Sequence, residues 1–511
     1  MGTTGAIIIA FVCYLALMIG IGVWSMKQTN DANDYFLGGR GLSGPVAALS
    51  AQASDMSGWL LMGLPGSVYA LGTGQAWIAI GLGLGTIANW LIIAKPLRSY
   101  TIVANNSMTL PEFFGNRFHD DKKLLLGISS VIIVIFFLVY TASALASGGK
   151  LFNTVFGVDY HVALFIGAVV ILVYTFLGGF LAVCTTDFVQ GMLMLIGILV
   201  VPIIAWSFIG GEVSDLIVQS GMNSEHYMSL FYNGDHPITI IEILSNLAWG
   251  LGYCGMPHIL VRFMAIKNEK ELKKSSVIAI VWVVISLSFA IVIGVIGRAF
   301  LFPEILGEGS AASTECVFIE MIQKVFTEYL PLPFIGGIFI CGILAAIMST
   351  ADSQLLVCSS SVSADIYKDI MNPEASDNTV LKIGRITTIV VAILAFFIAW
   401  NPNSSIMGLV SDAWAGLGSA FGPLVVMSLF WKRTNLQGAI AGLISGAAVV
   451  IIWDYLPLMG GETIGNATGI YSLLVGFIIS LLCIVIVSLV TKAPDESILA
   501  EFEEYKNYKE D

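Results

Sequence analysis

Asp55-Met56-Ser57-Gly58, followed by Gly63, Pro65 and Gly66, interrupts an apolar stretch that would otherwise run as one helix. Trp249-Gly250-Leu251-Gly252-Tyr253, followed by Gly255 and Pro257, interrupts a second. Each string places helix breakers and polar groups near the middle of a membrane-length segment. In hydrocarbon an unpaired backbone group costs several kcal/mol, so such a break persists only where protein or a wet cavity satisfies it. Paired interruptions at matching positions of two halves are the sequence mark of a transport-type binding site.

The surrounding chain fits a bilayer. It has 511 residues, of which 57% are hydrophobic and 11% charged, and its mean hydropathy is +0.88. Soluble domains carry about 25% charged residues, so a soluble reading is excluded. Apolar runs of about 20 residues recur from end to end. They predict an all-α polytopic membrane protein with about thirteen spans, at roughly 5–25, 44–70, 73–95, 124–147, 160–184, 188–209, 240–263, 276–302, 332–360, 382–401, 404–430, 436–456 and 467–491.

Charge asymmetry tests that count, because inner loops collect Lys and Arg. With the N-terminus outside, thirteen spans leave only Lys150, Arg298 and Lys324 of the 23 basic residues on the outer side. The remainder, from Lys27 and Arg40 to Lys506 and Lys509, gather inside with the C-terminus. The N-terminal apolar run has no basic flank before it and reads as a retained span. The net charge of −12 comes from acidic outer loops and the run Glu501-Phe502-Glu503-Glu504, which reads as a solvated tail. Nothing in the charge pattern points to nucleic acid. Seven cysteines without paired spacing give no disulfide framework or metal site.

The interrupted spans 2 and 7 open two sets of five, at 44–209 and 240–430, within one transmembrane domain covering 1–511. Five is odd, so the second set must cross the membrane in the opposite sense, as an inverted repeat. The spans at 5–25, 436–456 and 467–491 are peripheral additions.

Asp55 carries the strongest chemical signal. A carboxylate at a span centre costs roughly 2.5–3.5 kcal/mol on insertion scales and marks an ion or solute path. The break beside it frees the carbonyls of Ala53 and Met56, which suit a small hard cation. In span 9, Ala346, Ser349, Thr350 and Ser353 fall on one helical face, next to Asp352. A hydroxyl stripe serves either helix packing or oxygen ligation of an alkali ion; the neighbouring Asp352 favours the second. Asp187 reads as the inner end of span 5, either a cap for span 6 or a cation group. Asp412 and Glu242 are further intramembrane acids without a specific role. Tyr140, Trp249 and Tyr253 fit ordinary bundle packing; Trp249 and Tyr253, one helical turn apart beside the break, also suit the wall of a small-solute pocket. Gly81-Leu82-Gly83-Leu84-Gly85 mimics a phosphate loop, but no strand precedes it and close helix packing explains it better. No nucleophile–His–acid set or P-loop occurs, which argues against an enzyme and against an ATP-driven pump.

Several of these strings resemble the sodium/solute symporter family, and within it the proline-carrying branch. They are Asp34-Tyr35-Phe36-Leu37-Gly38-Gly39-Arg40, Ala53 through Gly66, Gly250-Leu251-Gly252-Tyr253 with Pro257-His258, Ala345 through Leu355, and Trp414-Ala415-Gly416-Leu417-Gly418. The resemblance covers nearly the whole chain. It implies the five-plus-five inverted-repeat fold, with spans 2 and 7 unwound. It also implies a sodium ion held by the Ala53 and Met56 carbonyls with Ala346, Ser349 and Thr350, supported by Asp55. Asp187 and Ser353 would form a second cation region. Ser57, Gly58, Tyr140, Trp249, Tyr253 and Pro257 would line a pocket for L-proline or a similar small solute. Cys254 and Met256 stand where the family commonly has Phe and Gln, which bears on pocket shape. The expectation is a multi-pass plasma-membrane carrier, of a bacterial inner membrane, coupling inward sodium flow to L-proline uptake. Alternatives are another solute (pantothenate, a sugar or a carboxylate) and a proton-coupled carrier.

Overall fold

The computed structural model describes residues 2–26, 36–176, 179–307, 311–457 and 460–508, with no side-chain description at 311–312. Lys27, Asp34, Tyr35 and Lys509, used in the sequence reading, lie outside the described residues. Among those described the architecture is helical; the one sheet pairs Tyr232–Asn233 with His236–Pro237.

Among the described residues, ten helices are long and apolar enough to cross a membrane. The other expected spans are a shorter helix, Tyr160–Thr175, and the two interrupted segments. Helices Pro333–Met371 and Ile406–Phe430 are the most enclosed, with 78% and 83% of their central windows buried. Ser472–Val490, at 28%, lies at the rim. Exposed apolar side chains such as Leu91, Phe165, Ile203, Val277 and Leu482 cover the outside, as a lipid-facing surface allows. Arg40, Arg98 and Arg433 donate to main-chain carbonyls of Met264, Ile266 and Thr491, so basic residues gather at one end of the bundle, here termed the basic face. At the opposite end Lys150 and Glu315 form a buried ion pair of 2.6 Å.

Span 2 is two helices, Gly44–Asp55 and Leu64–Leu71, joined through Met56 (φ −81°, ψ 73°) and a π-type turn at Trp59–Gly63. Proline explains the turn. Pro65 has no N–H to give the carbonyl four residues back and its ring crowds that carbonyl; widening the preceding turn relieves both. The same device recurs where Pro96 follows a π-type turn at Asn89–Ile93. Span 7 begins with a Thr239/Glu242 capping box, runs as Ile240–Leu247, tightens to a 3₁₀ stretch at Ala248–Gly255, and restarts as Pro257–Ala265 after extended Met256. Glu242, without a specific role in the sequence, is therefore a helix cap. Both segments are interrupted as their sequences demand.

Glycine sets how closely span 7 approaches its neighbours. A Cβ on Gly85 would stand 2.5 Å from the Gly250 Cα, and one on Gly81 would stand 2.6 Å from the Leu247 carbonyl oxygen. Spans 3 and 7 thus touch backbone to backbone, which is the role of the glycine string that mimics a phosphate loop.

Three expectations need correction. Span 5 does not reach residue 184: the chain is extended at Gly179 and the next helix is Phe180–Ser207. Asp187 therefore lies inside span 6, fully buried, and caps nothing. The apolar run hid the break. Second, the expected inner loop 361–381 is helical to Met371, span 9 continuing into a π-type stretch at Ser361–Met371. Third, the acidic tail is a docked helix, Glu496–Asn507. Its Ile498, Phe502 and Tyr505 repeat at helical spacing and are buried, and Tyr505 stacks on Tyr100 at 4.2 Å. The charge run masked that apolar stripe.

Candidate functional site

The break in span 2 ends the first half-helix at Asp55, leaving the Ala53 carbonyl without a helical partner, and span 9 meets it there. The Ser349 hydroxyl donates to the Ala53 oxygen at 2.7 Å and the Thr350 hydroxyl at 3.4 Å. Ser349 also reaches the Ala346 carbonyl at 3.2 Å. Two carbonyls and two hydroxyls therefore converge in a fully buried spot. Met56 stands at the break itself, with its N–H bonded to Gln52.

Asp55 turns the other way. Its Oδ2 accepts the Tyr253 hydroxyl at 2.6 Å, and its Oδ1 has no hydrogen-bond partner. Its carbonyl accepts Trp59 Nε1 at 2.9 Å and the Tyr140 hydroxyl at 3.5 Å. One residue thus ties both interrupted spans to span 4. Ser57 Oγ accepts the Trp59 N–H, and Gly58 packs against Ser147 and Ile406. Tyr253 sits edge-on to Trp414 at 5.1 Å. Trp414 Nε1 in turn donates to the Trp249 carbonyl at 2.8 Å, while the Trp249 ring stacks on Tyr471 at 5.0 Å. Ser57, Gly58, Tyr140 and Tyr253 surround the break in span 2. Trp249 and Pro257 stand one contact further out, Trp249 through Trp414 and Pro257 at the start of the restarted helix.

Asp187 and Ser353, expected together, are joined by residues the sequence did not single out. Asp187 Oδ2 accepts from Ser50 at 2.7 Å, Ser54 at 3.1 Å and Arg262 Nη2 at 3.3 Å. Ser54 and Ser353 share a hydrogen bond of 2.9 Å, and Arg262 Nη2 reaches Ser353 at 2.6 Å. Asp352 contacts the group only through a 3.4 Å bond from Ser353, and its Oδ2 is unpartnered. Arg262, expected at the inner edge, is 1% exposed. Its signal was available: it lies five residues past Pro257, within the restarted half-helix. Ser50 and Ser54 likewise form an i, i+4 hydroxyl pair just before the break. His258 is a second omission, fully buried between Phe137 and Tyr140 with neither ring nitrogen hydrogen-bonded. Asp412 lies away from this group and accepts from Tyr455 at 2.6 Å.

Chemically, the arrangement offers hard oxygen donors at Ala53, Ala346, Ser349 and Thr350, and beside them a cluster of aromatic side chains tied to Asp55. Oxygen ligands of this kind select alkali and other hard cations.

Comparison with known proteins gives the same direction. The osmoregulated proline transporter OpuE of Bacillus subtilis is 44% identical over 488 residues, covering 96% of this chain and 95% of the relative. The high-affinity proline transporter PutP of the same organism is 44% identical over 490 residues, covering 96% and 99%. A sodium/proline symporter of Staphylococcus aureus is also 44% identical, over 489 residues, covering 94% and 92%. Among solved structures, a substrate-bound, outward-open Na⁺-coupled sialic acid symporter superposes with TM-score 0.77 at 21% identity, covering 97% of this chain and 99% of that one. That likeness speaks to the fold. The sequence profile of the sodium:solute symporters matches residues 35–446, and the chain belongs to the sodium:solute symporter family.

Proposed function

We propose that this protein is a secondary active transporter in which inward sodium flow drives uptake of L-proline by alternating access. One observation carries the reading: the Ala53 carbonyl, released by the break in span 2, meets the Ser349 and Thr350 hydroxyls of span 9. A sodium ion at that meeting point takes the oxygen lone pairs, and the hydroxyl protons turn away. Spans 2 and 9 are then fastened by the ion rather than by two hydrogen bonds. The same segment of span 2 carries Asp55 and its bond to Tyr253, so ordering the ion site also orders the solute enclosure. By linkage, proline raises sodium affinity by the factor by which sodium raises proline affinity. The proline transporters and symporters among the relatives support this choice of solute.

The driving force suffices. One cation falling through about 100 mV releases about 2.3 kcal/mol, and each 1.4 kcal/mol supports about tenfold accumulation. The potential alone therefore supports roughly fiftyfold accumulation. In this reading spans 2–6 and 7–11 form the inverted repeats, the basic face is cytoplasmic, and the N-terminus lies outside in a bacterial inner membrane. Asp187 and Ser353 are a second cation region, in which the Arg262 guanidinium already supplies a positive charge.

The test is uptake of labelled L-proline into liposomes carrying the purified protein, with sodium or potassium outside. Sodium-dependent accumulation is expected. Competition by pantothenate, sugars and carboxylates identifies a different solute. The unpartnered Oδ1 of Asp55 motivates one rival, a proton-coupled carrier, which predicts flux that follows pH and persists when choline replaces external sodium.

A further inference from the structure

Between the break in span 7 and the basic face lies a narrow cleft whose walls include Pro257, Arg262, Ser353, Ser361, Val357 and Phe180. Its cavity volume is only about 20 Å³. The space is thin throughout and has room for about one or two waters, so a solute passes only if the cleft widens. Pro257, which opens the restarted half-helix of span 7, stands at the end of the cleft nearest the break. Met108 and Leu110 of the basic-face segment also border it.

Every nitrogen of the Arg262 guanidinium has a partner, Nε bonding to Ser50 at 3.1 Å, but its pairing with Asp187 is loose. Arg262 meets Asp187 through a single contact of 3.3 Å, whereas a good guanidinium–carboxylate fork makes two bonds of about 2.7–2.9 Å. The guanidinium bonds more closely to Ser353 at 2.6 Å and to the His258 carbonyl at 2.5 Å. Asp187 Oδ1 has no partner, and neither has Ser361 Oγ in the cleft wall. Arg262 and Asp187 are both buried, at 1% and 0% exposed. The Arg262 side of a loosely made ion pair thus lines a narrow cleft, with Asp187 directly behind it.

We propose that the Arg262–Asp187 pair is a transient subsite for a zwitterionic α-amino or imino acid leaving towards the cytoplasm. The solute carboxylate takes the guanidinium, and the solute ammonium takes Asp187 Oδ1. Inserting a zwitterion into the pair leaves every buried charge beside one of opposite sign. A neutral sugar provides no such exchange. A monoanion would occupy Arg262 and strand Asp187, and an uncompensated buried charge is strongly destabilising. The subsite therefore selects for zwitterions at a second point, after the main enclosure. This rests on the transport reading above.

The test uses the full-length protein in uniformly oriented proteoliposomes. Half-saturation by L-proline is measured at the outer face, and half-inhibition by L-proline at the cytoplasmic face. Arg262→Gln is expected to raise the cytoplasmic value at least tenfold and the outer value less than threefold. L-Prolinamide and N-acetyl-L-proline, each with one charge, should compete at the cytoplasmic face of the wild type at least tenfold less well than proline. Val357→Phe, which narrows the cleft from span 9, should keep the outer value and slow proline release at least tenfold; it decides the matter if Arg262→Gln does not fold. Equal changes at both faces in Arg262→Gln, an unchanged cytoplasmic value, or wild-type release from Val357→Phe would each overturn the subsite. Absence of sodium-driven proline uptake by the wild type is a separate result, and it would overturn the transport reading instead.

Discussion

Replacing Ser349 by Ala tests the ion site most directly. Its hydroxyl makes a 2.7 Å bond to the Ala53 carbonyl, an interaction worth about 0.5–1.5 kcal/mol net. With sodium bound, the same oxygen faces a full charge, and hydrogen bonds to charged groups are worth about 1.5–3 kcal/mol. Only the difference, about 1–2 kcal/mol, appears in ion affinity. At 1.4 kcal/mol per tenfold this raises half-saturating sodium by roughly 5–30-fold. Thr350→Ala, whose hydroxyl sits further off at 3.4 Å, should fall at the lower end. Thr350→Ser keeps the oxygen and should stay within about twofold of wild type, taking a hydroxyl as the ligand that matters. The assay is initial proline uptake into proteoliposomes against external sodium, at saturating proline. Because the two ligands are linked, apparent proline affinity should fall at limiting sodium and recover at high sodium. Sodium dependence within twofold of wild type in both Ser349→Ala and Thr350→Ala would remove span 9 from the ion site.

Three further expectations bear on the enclosure and its frame. A Cβ on Gly58 would lie 2.8 Å from the Ser147 Cβ, so Gly58→Ala should cost about 1–3 kcal/mol by overpacking and depress transport. Adding Ser147→Gly should restore uptake, and failure of that rescue would show that the space is not the cause. Trp249→Ala, which removes the stack on Tyr471, should weaken proline affinity by about 10–100-fold, roughly 1.4–2.8 kcal/mol. Equilibrium binding to protein still resident in the membrane checks this, and unchanged affinity excludes Trp249 from the enclosure. Phe502→Ala, at the buried face of the tail helix, should destabilise the protein by about 3 kcal/mol, seen as a lower melting temperature of the purified carrier. A melting temperature equal to wild type would return the tail to the solvent.

The parts legible in the sequence were those with a backbone cause. Gly and Pro at 55–66 and 249–257 announced two interruptions, because Pro removes a ladder hydrogen bond and clustered Gly makes non-helical backbone less costly. The stripe of Ala346, Ser349 and Thr350 was readable from helical spacing, and the structure brings it to the Ala53 carbonyl. What escaped depends on the third dimension. Arg262 looked like a loop-edge cation because its bilayer depth follows from where span 7 restarts. The extended backbone at Gly179 lay hidden in an apolar run, which put Asp187 at the end of the wrong helix. The tail's stripe of Ile498, Phe502 and Tyr505 was obscured by its carboxylates, and its partner, Tyr100, is just over 400 residues earlier in the chain.

The glycine contact between spans 3 and 7 restricts how the bundle can rearrange. Gly81 and Gly85 meet Leu247 and Gly250 with no side chains between them, so this junction has nothing to re-register and no rotamers to exchange. Contact this close leaves no slack for a separation, so the two segments are expected to move as one lever. Shear is left to joints padded with side chains, such as the Trp249–Tyr471 stack, and a bulkier residue at position 85 would pry the junction apart before it touched either ligand.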